Sequence, residues 1–214
     1  MKSSLIRPAL ALALAASLAA CGGSDKAEFT VAGSVTGLVY DGLVLTNASV
    51  PLKVAPPSTA GAAVRFAFPD KLEYGDTYAV TVTTPPAHQN CEPGIPEGGI
   101  YANNADTAGR LVTIDIAIVC RINTRPIGGT ITGLTGAGLV LANGSTGGSY
   151  TAATPGTPPA TTPITYALPE VPFNTTYGVT VSKQPAGQIC TVANPTGTMG
   201  DVAITNINVT CVAA

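Results

Sequence analysis

The chain has no tryptophan, one histidine (His88), and only 10% Asp, Glu, Lys and Arg among its 214 residues. Each shortage removes a class of chemistry. With one imidazole, any histidine-based triad must use His88, which follows Pro85-Pro86-Ala87 and closely precedes Cys91. That setting reads as a solvent-exposed loop histidine and not as a catalyst. No G-x-S-x-G elbow, G-x-x-x-x-G-K-[ST] loop or H-E-x-x-H helix occurs, so the familiar nucleophile, nucleotide and metalloprotease patterns are missing. Acids stand singly, and residues 126–214 hold only Glu170 and Asp201, which leaves no local carboxylate pair for glycosidase chemistry. There is no C-x-x-C spacing for zinc. Scarce Lys and Arg give no basic footprint for nucleic acid. The expectation is a protein that is not an enzyme and carries no cofactor or metal.

What is there begins with an address. Lys2 and Arg7 form a short basic region, and Pro8 to Leu18 is an almost unbroken Ala/Leu run. The run is too short for a permanent bilayer-spanning helix but suits a cleaved helical signal peptide. It ends in Leu18-Ala19-Ala20-Cys21, which resembles the lipobox of bacterial lipoproteins. That resemblance implies cleavage before Cys21 and acylation of Cys21, with residues 1–20 as signal and 21–27 as a lipidated tether. Two or more acyl chains anchor a protein stably where one binds only marginally. Gly22 stands where an Asp usually marks inner-membrane retention, so the resemblance implies an outer-membrane, lipid-anchored protein. Removing Lys2 and Arg7 from the ten basic side chains leaves eight against twelve acidic ones, a weakly acidic mature chain. Plentiful β-branched residues and low net charge separate it from disordered sequences.

An internal repeat organises the rest. Val35-Thr36-Gly37-Leu38 returns as Ile131-Thr132-Gly133-Leu134, and Gly42-Leu43-Val44-Leu45-Thr46-Asn47 as Gly138-Leu139-Val140-Leu141-Ala142-Asn143. Thr77-Tyr78-Ala79-Val80-Thr81-Val82 matches Thr176-Tyr177-Gly178-Val179-Thr180-Val181, and Pro86 to Cys91 matches Pro185 to Cys190. Each copy closes on an alternating strand, Leu111 to Cys120 and Val202 to Cys211. The domains are therefore 28–120 and 126–214, with 121–125 as linker. Within each copy the period is two: Tyr78, Val80 and Val82 share one face, as do Val112, Ile114, Ile116 and Ile118. Such alternation marks half-buried strands. Gly- and Pro-rich breaks separate them, and no helical period follows Cys21. About seven short strands per 90 residues fits an all-β fold, two tandem immunoglobulin-like or prealbumin-like β-sandwiches.

The mature chain also resembles a repeat of proteobacterial envelope lipoproteins, carried by Gln184-Pro185-Ala186-Gly187-Gln188-Ile189-Cys190-Thr191-Val192-Ala193-Asn194 and Ile207-Asn208-Val209-Thr210-Cys211. The first copy departs from it at Pro85 and His88 and is longer after Cys91. The resemblance implies architecture and location and brings no catalytic residue.

Four cysteines remain after Cys21, in an oxidising compartment where disulfides persist. Of three possible pairings, only Cys91–Cys120 with Cys190–Cys211 gives both copies the same bond. The polar stretch Glu97 to Asp106 is the one local cluster of oxygen ligands, but it lacks calcium-loop spacing. Tyr101, Asn103, Asn104 and Asp106 within it are the candidate partner contacts. Tyr78 and Tyr177 alternate into the core, while Tyr40, Tyr101 and Tyr150 fall nearer loops. The functional expectation is a structural spacer or interaction module held to the membrane by its N-terminal lipid. The alternatives are a lipoprotein that binds a glycan or another envelope ligand, and an accessory subunit of a secretion or adhesion system; the partner is then an envelope protein or glycan, not nucleic acid.

Overall fold

The computed structural model describes residues 26–95, 99, 101–153 and 162–214, and these are all β, without a helix. The signal segment, Cys21 and Glu97 lie outside the described residues. Repeat 1 contains β1 (Glu28–Thr36), β2 (Leu43–Asn47), β3 (Val50–Val54), β4 (Val64–Glu73), β5 (Thr77–Thr84), β6 (Gln89–Pro93), β7 (Ala105–Thr107) and β8 (Ile114–Ile122). Repeat 2 contains β9 (Thr124–Thr132), β10 (Val140–Asn143), β11 (Ser149–Thr151), β12 (Ile164–Pro172), β13 (Thr176–Lys183), β14 (Gln188–Val192), β15 (Thr196–Thr198) and β16 (Val209–Ala213).

Each repeat makes two four-stranded sheets in the same order. One is β4-β1-β8-β6, repeated as β12-β9-β16-β14; the other is β3-β2-β5-β7, repeated as β11-β10-β13-β15. The first sheet holds a parallel pair, β1 with β8 and β9 with β16, among antiparallel neighbours. Alternating residues from both sheets meet in one core per repeat. In repeat 1 these include Val31, Val35, Leu45, Val80, Ile116 and Ile118; in repeat 2, Ile127, Ile131, Leu141, Val179 and Val209, joined by Ile207 just before β16. Each repeat is thus a two-layer β-sandwich around its own core.

Proline marks the sheet edges. Pro69 in β4 and Pro169 in β12 sit where pairing with β1 and β9 skips, between Thr30 and Ala32 and between Leu168 and Val171. A proline cannot donate to a ladder, so it is tolerated at an edge or a bulge. Each edge strand also carries an aromatic residue opposite a glycine: Phe66 pairs with Gly33, and Tyr166 with Gly129. A β-carbon on Gly33 would lie 2.6 Å from the Phe66 ring, so the glycine makes room for the ring to cover the sheet.

Three expectations need correction. The last strands are shorter than the alternation suggested: β8 starts at Ile114 and β16 at Val209. Val112, assigned to the inward face with Ile114, is 96% exposed, because sheet pairing with β1 begins only at Val31 and Ile114. Among the described residues each copy has eight strands, where about seven were expected. Of residues 121–125, only Asn123 lies outside a strand, so β8 runs almost directly into β9.

Candidate functional site

The polar residues shared by the two copies are consumed by the scaffold. Buried Gln89 accepts hydrogen bonds at Oε1 from the Val39 and Tyr40 amides (2.8 and 2.9 Å) and donates from Nε2 to the Gly37 carbonyl at 2.7 Å. Buried Gln188 repeats this, accepting from Thr135 and Gly136 and donating to Gly133, each at 2.7 Å. One buried side chain thereby pairs with three backbone groups and fixes the loop after β1 or β9. Asn47 likewise accepts from the Ala79 amide, and Asn143 from the Gly178 amide. The motif that the copies have in common is fold chemistry.

The disulfides join direct cross-strand neighbours within one sheet. Cys91 on β6 bonds Cys120 on β8, and Cys190 on β14 bonds Cys211 on β16, with Cα atoms 4.0 Å apart in both. All four cysteines are buried in the cores.

The extra length of repeat 1 is confined to a short insertion. Its two cysteines are 29 positions apart against 21 in repeat 2. Gly94 donates to Ala117 as Ala193 does to Asn208, so these positions correspond. Asn103 donates from Nδ2 to the Asp115 carbonyl as Asn194 does to Asn206. The insertion is therefore residues 95–102. Of the four candidate contacts, Tyr101 alone belongs to it, and its side chain is 77% exposed. Asn104 donates to the Val80 carbonyl, and Asp106 accepts from Arg110 and from the Thr107 amide. Asn103, Asn104 and Asp106 thus hold the base of the loop. Asn103 Oδ1 is buried without a partner among the described residues. No group of three His, Cys, Asp or Glu side chains suited to a metal occurs among the described residues. Burial, with Asp106 nearby, pushes the Tyr78 hydroxyl above its ordinary value.

His88 is not a solvent-exposed loop residue. Its ring stacks on Phe173 of repeat 2, with centroids 3.7 Å apart and planes 3° from parallel, and Tyr40 packs edge-on to both. Its Nδ1 hydrogen-bonds Asp201 at 2.7 Å, and the Arg125 guanidinium donates to the Asp201 carbonyl. Backbone bonds from Asn123 to His88 and from Phe173 to Asn123 complete a junction between the repeats. His88 takes φ of 59°, and Gly187, its counterpart, 68°. The turn favours glycine, so a histidine there bears a steric cost that the interdomain stack offsets. Sequence reasoning missed Phe173. The signal was available in the contrast between His88 and Gly187 at a turn where glycine is the easy residue.

Tyr40 lies in the loop between β1 and β2 as expected, whereas Tyr150 lies on a strand. Both are half-buried: Tyr40 in this junction, Tyr150 on β11 against Tyr166 at a centroid distance of 5.4 Å. Compared with protein-family models and with curated proteins, the chain matches none.

Proposed function

We propose that this protein is a non-catalytic, membrane-anchored envelope lipoprotein, lipidated at Cys21, whose two immunoglobulin-like or prealbumin-like repeats act as a spacer or interaction module at the outer membrane. The observation that carries the spacer reading is the junction: β8 passes into β9 through one residue, and His88, Phe173, Tyr40 and Asp201 fill the seam. Two domains joined by a flexible linker would need neither the stack nor a histidine in a glycine conformation. The polar groups common to both copies are satisfied internally, which supports a role in holding shape over one in binding a shared ligand. Changing Cys21 to Ser is expected to abolish labelling by a palmitate analogue and release the protein from the membrane fraction. Labelling that survives the change would sink the lipoprotein reading.

A second reading rests on Tyr101. It is an exposed aromatic on an insertion absent from repeat 2, beside a buried acceptor without a partner among the described residues. Binding residues are often carried on loops that a rigid scaffold positions, so this loop is the place where an envelope protein or glycan would touch. A glycan array and crosslinked membrane pulldown, each with and without the insertion, separate a ligand-binding or accessory-subunit role from a spacer.

A further inference from the structure

We propose that the end of repeat 1 at which β1 begins rests against the bilayer, with Tyr74, Leu111 and Val112 seated among the lipid headgroups. The proposal rests on acylation of Cys21 and adds an orientation and a contact surface to it. The tether sets the geometry. Five residue steps separate Cys21 from Lys26, so even a fully extended chain covers no more than about 18 Å. β1 alone, at nine residues, is about 30 Å long. The lipid therefore cannot reach the far end of repeat 1, and the near end is held within reach of the membrane surface.

That near end exposes three large apolar side chains among its ion pairs. Tyr74 is 75% exposed, Leu111 46% and Val112 96%. Tyr74 and Gly75 turn β4 into β5, and the Gly75 amide bonds the Ala108 carbonyl, which brings this turn beside the segment leading to Leu111 and Val112. A β-carbon on Gly109 would come within 2.3 Å of the Tyr74 ring; the glycine lets the ring lie across the segment. Single exposed apolar side chains are ordinary; three at one end of a sandwich offer a surface on which a neighbour can sit. Tyrosine with aliphatic neighbours suits the membrane–water interface, where the ring is buried and the hydroxyl stays wet.

In repeat 2 protein covers one part of the corresponding surface, the position of Tyr74. By strand register Tyr74 corresponds to Phe173, since Glu73 pairs with Glu28 and Pro172 with Thr124. Counting back from Cys120 and Cys211, Leu111 and Val112 stand at the level of Val202 and Ala203, which are exposed in repeat 2 as well. In repeat 2 the aromatic residue at this end, Phe173, receives Tyr40 and His88 of repeat 1, and His88 also bonds Asp201. In repeat 1 no protein among the described residues covers this end. A second copy stacking its own repeat 2 there is disfavoured, because Gly136 and Gly187 occupy the places of Tyr40 and His88 and have no side chain to offer. The bilayer, already tethered nearby, is the remaining neighbour. Lys26, Lys71 and Arg110 at this end are each paired, with Glu73, Glu28 and Asp106 at 2.6, 2.6 and 3.0 Å. The contact is therefore apolar, and it does not depend on anionic lipid.

The chain's lack of tryptophan makes the test direct. Tyr74→Trp places the only indole at the proposed contact, and Ile189→Trp places it on an exposed strand position of repeat 2. Each processed, full-length variant is reconstituted into phosphatidylcholine vesicles with and without a dibrominated acyl chain, and into vesicles containing phosphatidylglycerol. Flotation and intact mass report anchoring and acylation separately from fluorescence. The expected result is blue-shifted, bromine-quenched emission for Tyr74→Trp, equal in neutral and anionic vesicles, with no quenching for Ile189→Trp. An acylated, floating Tyr74→Trp protein without quenching overturns the contact and leaves the lipoprotein reading standing. Absence of acylation on the wild-type chain removes the tether and overturns both. Quenching confined to anionic vesicles overturns the apolar contact, and a lipid-free blue shift that grows with protein concentration assigns the surface to a second copy instead.

Discussion

Repeat 1 and repeat 2 share strand order, disulfide position and the buried glutamine clamp, yet differ wherever a surface meets something else. Repeat 1 has His88 and Tyr40 at its far end where repeat 2 has Gly187 and Gly136, and it carries the 95–102 insertion. Repeat 2 has Tyr166 in its core where repeat 1 has Phe66. The lesson is a division of labour. Apart from that one core position, the clamp, the disulfides and the strand order repeat because two copies of one sandwich need the same backbone satisfied, whereas the ends have diverged, with aromatic residues at the junction where the other copy has glycines.

The largest expected effect tests the shared part. Replacing Cys91 and Cys120, or Cys190 and Cys211, with a Ser or Ala pair should cost on the order of 2–4 kcal/mol of the affected repeat's stability, chiefly by freeing the unfolded chain. The closed loops differ by eight residues, which changes the chain-entropy contribution by only about 0.3 kcal/mol. Denaturant unfolding of each pair variant should therefore give losses that are nearly equal between repeats. Losses that differ severalfold would mean that the two sandwiches are not energetic equivalents.

A smaller effect separates the cores. The Tyr166 hydroxyl donates to the Ile207 carbonyl at 2.7 Å, and burial pushes its pKa up to about 12. An unfolded tyrosine ionises near about 10. Below about pH 10 both states keep the proton and the contribution is whole. Between about pH 10 and 12 the unfolded chain gives up its proton while the fold holds on, so stability falls as pH rises, and above about 12 the contribution is gone. Tyr166→Phe should lower stability at neutral pH by about 1 kcal/mol, because Ile207 keeps a buried acceptor that has lost its donor. The same variant should flatten the alkaline loss seen by circular dichroism of the oxidised protein. An unchanged alkaline profile would place the sensitivity elsewhere.

The junction gives a smaller net change still. His88→Gly removes from repeat 1 the ring that stacks on Phe173 but relieves a left-handed backbone, a relief worth up to about 1 kcal/mol. Repeat 1 should keep its stability within that range while the two repeats lose their fixed angle. Small-angle scattering checks this: a broadened distance distribution is expected, and an unchanged one would show that the backbone bonds around Asn123 suffice.

Much of this was legible in the sequence, for identifiable reasons. The period-two pattern and the repeat located Tyr78, Val80, Ile114, Ile116 and Ile118 in the core, because sheets bury alternate residues. The same pattern failed at Val112, since alternation persists beyond the point where pairing ends and only the partner strand decides that. Asn104 and Asp106 looked like ligands because amide and carboxylate groups serve equally in turns and sites; their scaffold roles depend on Val80 and Arg110, which are distant or unremarkable in sequence. The His88–Phe173 stack joins residues 85 positions apart, on two different repeats. No local pattern encodes it.

The smallest expected change tests the largest difference in length. Removing residues 95–102 and joining Gly94 to Asn103 gives repeat 1 the connection that repeat 2 already has between Ala193 and Asn194. The hydrogen bonds that bracket the insertion, Gly94 to Ala117 and Asn103 to Asp115, have counterparts in repeat 2 that close without extra residues. Loop-closure entropy changes slowly with length, so shortening this connection should alter stability by only about 0.3 kcal/mol, in the stabilising direction. The Cys91–Cys120 bond remains and the core is untouched, so the melting transition of repeat 1 should barely move. Partner capture is then a clean readout. If the deletion protein folds and loses a crosslinked envelope partner that wild type retains, Tyr101 and its loop carry an interaction that repeat 2 lacks. If the partners are unchanged, the insertion is a tolerated lengthening of a surface loop, and any difference in function between the repeats must lie at their ends.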